Sequence, residues 1–134
     1  MNRKVALMLA ALANIVKAIS LSALFGTTTA STSLVTTATI TVTVPAGNSG
    51  RLRLTNTRLD DTPNATMLYS INGATFVAFA TTGGEVVDIV IANAETLRFR
   101  MSGATAGASN TSIVNIQDLS AASTLIDTCT IVRT

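Results

Sequence analysis

Between residues 34 and 134 apolar and polar side chains alternate with period two in one segment after another, a rhythm that fits sheet and not helix. Residues 34–44 place Ala38, Ile40, Val42 and Val44 on one face and Thr37, Thr39, Thr41 and Thr43 on the other. Residues 51–57 turn Leu52 and Leu54 one way and Arg51 and Arg53 the other. Residues 66–71 and 74–80 flank Asn72-Gly73, the dipeptide of a two-residue type I′ hairpin. Met67, Tyr69 and Ile71 share a face of the first of these strands, and Phe76 and Ala78 a face of the second. Residues 85–91 carry Val87, Ile89 and Ile91 in phase, and residues 96–101 set Leu97, Phe99 and Met101 against Arg98 and Arg100. Residues 112–119 and 125–133 supply the last two strands. Polar, Gly- and Pro-bearing turns at 45–50, 60–64, 83–84, 93–95 and 102–110 separate them. About eight strands with turns every 8–12 residues predict a mainly β protein, an antiparallel sandwich of jelly-roll type.

With 134 residues, such a domain leaves room for one appendage. That appendage is the amino-terminal stretch, MNRKVALMLAALANIVKAISLSALF, and it admits three readings. Asn2-Arg3-Lys4, the apolar residues 5–13 and Thr28-Thr29-Ala30 compose a signal peptide with cleavage near Ala30. About 21 residues from Val5 are long enough to cross a bilayer. Asn14 and Lys17 near the middle count against a span, since a central lysine costs about 2.5–3.5 kcal/mol. In the third reading Val5, Met8, Leu12, Ile15 and Ile19, spaced 3-4-3-4, form the seam of a short helical bundle. Alanines 6, 10, 11, 13 and 18 favour that helix and permit close approach. It predicts a packed α-helix over residues 1–26 closed by Gly26, a Thr/Ser/Ala linker over 27–33, and the sandwich over 34–134.

Composition narrows the chemistry. The chain has no histidine, which removes the commonest general base and metal ligand together. Cys129 is the single cysteine and reads as a buried structural thiol. No pair of the seven carboxylates divides into acid and base, so neither a catalytic set nor a cofactor site is expected. A net charge of +2 gives no basic stripe for nucleic acid. Arg51/Arg53 and Arg98/Arg100 stand at i, i+2, each pair on one face of its strand. If the strands were neighbours, the four would make an anionic-ligand patch; the plainer reading is salt-bridging to Glu85, Asp88 or Glu95. Asp60, Asp61 and Asn64 lack the spacing of a calcium loop and suit a turn. Asn64-Ala65-Thr66 and Asn110-Thr111-Ser112 match the glycosylation sequon.

An apolar amino-terminal helix followed by a charge-poor, Thr/Ala-rich β domain resembles the small virion proteins of tailed bacteriophages: capsid-decorating proteins, head fibres and short tail appendages. The resemblance is one of architecture and composition. It implies a non-enzymatic structural protein of the virion, commonly a homotrimer, anchored to capsid or tail proteins through its first segment. The alternative is a secreted sandwich binding a glycan or surface partner after removal of a signal peptide.

Overall fold

The computed structural model describes residues 2–4, 17–31, 34–59, 65–79, 84–103 and 110–134. They fold as two packed sheets. The first contains β1 (Ser20–Leu21), β3 (Leu34–Thr36), β4 (Ile40–Thr43), β6 (Thr66–Ile71), β7 (Val77–Ala78) and β9 (Thr96–Ser102). Its order is β1-β4-β9-β6-β7, with β3 continuing the β4 edge along β9. The second contains β2 (Gly26–Ala30), β5 (Arg51–Arg58), β8 (Val86–Val90), β10 (Asn110–Asp118) and β11 (Thr124–Arg133), in the order β2-β11-β10-β5-β8.

The core lies between the sheets and follows the alternation. Leu52 and Leu54 of β5, Ile89 of β8, Leu97, Phe99 and Met101 of β9, and Val114 and Ile116 of β10 are all buried. Asn72 and Gly73 both take positive φ (52° and 73°), as a type I′ turn requires. In residues 34–44 the expected single phase is broken. Val35 and Thr37 point inward, then Ile40 and Val42 do, and Ala38 is exposed. The pairings Thr36↔Arg100 and Ile40↔Leu97 differ by one residue, so a bulge separates β3 from β4. The buried Thr37 hydroxyl fills the gap in the ladder. It accepts from Phe99 N (2.9 Å) and stands 3.1 Å from Phe99 O, to which it donates.

The sandwich is not wholly antiparallel, and it is not a jelly roll. A jelly roll sets its first and last strands side by side and antiparallel. Here β3 and β4 lie in one sheet and β11 in the other, and the outer neighbour of β11 is β2, running parallel from Cys129↔Gly26 to Arg133↔Ala30. The chain reaches β2 by crossing from the first sheet, so no hairpin reversal fixes its direction.

The larger correction concerns residues 17–31. Of the expected helix seam, Val5, Met8, Leu12 and Ile15 lie outside the described residues. Ile19 does not continue a helix: it enters the sandwich core, and Ser20–Leu21 is a strand paired with β4. Nor is 27–33 a linker, because Gly26–Ala30 is an edge strand. Phe25 packs its ring 5.0 Å from that of Phe99. The reason is burial: seating Ile19 and Phe25 between the sheets gains about 1.5–3 kcal/mol apiece, which a short isolated helix does not match.

At the far end of β5, Gly50 has φ +66° and its carbonyl accepts from Ile91 N (2.9 Å). An added Cβ would stand 2.1 Å from Ile91 O. Gly50→Ala is therefore expected to cost about 2–4 kcal/mol, seen as a lower urea midpoint at unchanged slope.

Candidate functional site

The four arginines do not form one patch. Arg51 and Arg53 project from β5 in the second sheet, Arg98 and Arg100 from β9 in the first. On the second sheet the plainer reading holds for Arg53, whereas Arg51 stands exposed opposite Val90. Arg53 makes a two-armed ion pair with Asp88 directly across the ladder (Nε–Oδ1 and Nη2–Oδ2, each 2.8 Å). The guanidinium keeps the Asp88 carboxyl below its ordinary range, and the carboxylate in turn raises Arg53. The pair is exposed, so solvent screens it.

On the first sheet a different arrangement is built. The hairpin register slips by one residue after its turn: Ala74 N bonds Ile71 O, but Tyr69 pairs with Val77 and Leu68 with Ala78. The slip shortens the second strand to Val77–Ala78 and brings Phe76 over the outer face. Ser70, small and buried, lies opposite Arg98 and leaves room for the ring to reach across β6. Its hydroxyl donates to Ala74 O (2.6 Å), which fixes the segment. Phe76 then sits against both arginines, its ring centre 4.7 Å from the Arg98 guanidinium carbon and 4.2 Å from that of Arg100.

Sequence reasoning missed two other polar groupings. Asn56 and Arg58 continue the inward phase of Leu52 and Leu54, and both meet Glu85: Arg58 as an ion pair, Asn56 through its side-chain amide and its backbone N–H. Ser112, Asn110 and Arg133 are buried on the same inner face of the sheet. The second grouping holds the amino-terminal segment. Asp118, fully buried, accepts from Ile19 N (2.8 Å) and Ser120 N (2.8 Å). Asp127 accepts from Phe25 N (2.7 Å), and Asn48 donates to Lys17 O (3.1 Å). The only signal for these in sequence is a carboxylate on the inward phase of a strand.

A cleft of about 390 Å³ opens between residues 44–50 and 90–93. Its amide side chains are committed to the chain itself: Asn93 to Val44 N, Asn48 to Gly50 N and Lys17 O. Asp60, Asp61 and Asn64 lie outside the described residues. Asn110 is buried, which removes that sequon from solvent. Among the described residues no group of three His, Cys, Asp or Glu side chains could hold a metal, and no helix is long and apolar enough to cross a membrane.

Cys129 lies in the core beside Asp127, and burial, with that nearby charge, pushes its thiol up to about 12. It should resist aromatic disulfide reagents at pH 8 until denaturant unfolds the chain. Above its ordinary value of 9.0 the unfolded thiol ionises while the buried one does not, so stability should fall as pH rises past that point. Asp118→Ala and Asp127→Ala should each cost about 1–3 kcal/mol, by leaving a buried amide without an acceptor. Hydrogen exchange at Ile19 and Phe25 should quicken first.

Compared with protein-family models, with curated proteins and with solved structures, the chain matches none.

Proposed function

We propose that this chain is a non-enzymatic structural protein that works by assembly. Its sandwich forms a homo-oligomer, a trimer by preference, and its first segment attaches that oligomer to a larger particle. The virion of a tailed bacteriophage, with its capsid or tail proteins as partners, is the particle its architecture resembles. The first segment, with Val5, Met8, Leu12 and Ile15 of the expected seam, is then the attachment element. Ile19 is assigned to the sandwich.

The observation that carries this reading is the way residues 17–30 are built in. The chain that follows the apolar segment contributes a strand to each sheet, places Ile19 and Phe25 in the core, and is held by Asp118 and Asp127. A load on the apolar segment passes directly into both sheets. The same observation weighs against the secreted alternative with cleavage near Ala30, which would strip β1, β2 and Phe25 from a finished sandwich.

The outer face of the second sheet supports self-assembly. Val86, Thr55, Asn115 and Thr128 form one cross-strand row, and Thr57, Ile113, Thr130 and Thr27 the next. These rows carry no charge and, Asn115 apart, present β-branched side chains, which pack closely against a copy at little cost in side-chain entropy.

Sedimentation of the full chain and of a chain lacking residues 2–16 tests the reading. An oligomer is expected for the full chain, with attachment to the particle lost in the shortened one while the sandwich stays folded. A stable full-length monomer, or a natural product whose intact mass begins at Ser31, overturns it.

A further inference from the structure

The charges of the two sheets are handled differently. On the second sheet Arg53 faces Asp88 and Arg58 faces Glu85, and Arg51 is exposed to solvent beside the first of these pairs. Arg98 and Arg100 face no carboxylate within ion-pair distance among the described residues, yet both converge on the one ring of Phe76. Stacking on an aromatic face offsets part of a guanidinium charge but satisfies none of its five N–H donors, which lie in the guanidinium plane. The Arg100 Nε is buried with no acceptor, and a buried donor left so costs about 1–3 kcal/mol.

If gluing residues 74–79 to the sheet were the whole role, one arginine would serve. A second guanidinium at the same ring adds repulsion that an anion between the two would relieve. The spacing defines that anion. Residues at i, i+2 on a strand stand about 6.6 Å apart, with both forks on one face. A carboxylate fills one fork; a tetrahedral oxyanion, with three oxygens spread around its centre, offers an edge to each.

We propose that Arg98 and Arg100, stacked on Phe76, form a binding site for a phosphate or sulfate ester on the outer face of the first sheet. This goes beyond assembly: the site faces away from the Thr-rich rows and stays open if copies meet through them. Both guanidiniums already rest against Phe76, so less rotamer freedom is lost when the ester arrives.

The test uses the full chain at constant ionic strength, following the arginine Nε–Hε resonances by NMR. Inorganic phosphate, glucose 1-phosphate, glucose sulfate and glucose are added in turn. Saturable shifts confined to Arg98 and Arg100 are expected with the esters and none with glucose; a preference for either ester tells whether phosphate or sulfate is the natural group. Arg98→Lys and Arg100→Lys keep the charge but lose the fork and should weaken binding at least tenfold. Arg51→Lys, on the opposite sheet, should leave it unchanged. Backbone amide spectra report that each variant remains folded. Shifts that never saturate, that appear equally at Arg51 and Arg53, or that survive both lysine substitutions overturn the proposal.

Discussion

Two backbone amides, one held by the buried Asp118 and one by the half-buried Asp127, decide how this sandwich closes. Asp118 fixes Ile19 and Asp127 fixes Phe25, and between those points the chain passes from the first sheet to the second. A crossing segment carries polar backbone through a region that sheet ladders do not reach, and such groups need partners. Carboxylates on the inward phase of β10 and β11 supply them. With the crossing secured, Phe25 closes over Phe99, and β2 covers the free edge of β11. Without it that edge would be open to pairing with another chain.

The same sheets show how a one-residue slip becomes a functional feature. The bulge between β3 and β4 resets which residues face the core, and the Thr37 hydroxyl stands in for the missing ladder group. The slip after Asn72-Gly73 has the opposite use. It moves Phe79 into the core, 5.6 Å from Tyr69, and leaves Phe76 on the outer face above two arginines. A hairpin paired in the register its turn first sets would give up both placements, turning Phe76 inward and Phe79 outward.

The period-two pattern reveals what each strand buries, and Leu52, Leu54, Leu97, Phe99 and Met101 are legible for that reason. It does not reveal which strands are neighbours. Arg51/Arg53 and Arg98/Arg100 read alike, yet one pair lies on each sheet, because i, i+2 spacing specifies a face of one strand and nothing beyond it. The amino-terminal region misleads for a different cause. Ile19 falls four residues after Ile15, a helical interval, but β1 has two residues, too few to show a period of their own. The core that buries Ile19 and Phe25 is built from strands far along the chain, and the carboxylates that take their amides lie 99 and 102 residues away. Contacts so distant in sequence leave no mark in local pattern.

Charge pairing then separates the two outer faces by role. On the second sheet Arg53 is answered by Asp88 in the same row, and the two rows through Thr55 and Thr57 are neutral, so a copy seated on those rows would bury no uncompensated charge, while Arg51 lies on the other side of the pair. On the first sheet Arg98 and Arg100 lack such an answer, and a copy packed there would have to desolvate both guanidiniums. This distribution makes the neutral rows of the second sheet the less costly surface for the proposed self-association, and leaves the two guanidiniums of the first sheet for the proposed anionic group. The neutral rows and the unanswered arginines are two consequences of one distribution: where the strand ladders set a carboxylate opposite an arginine, and where they do not.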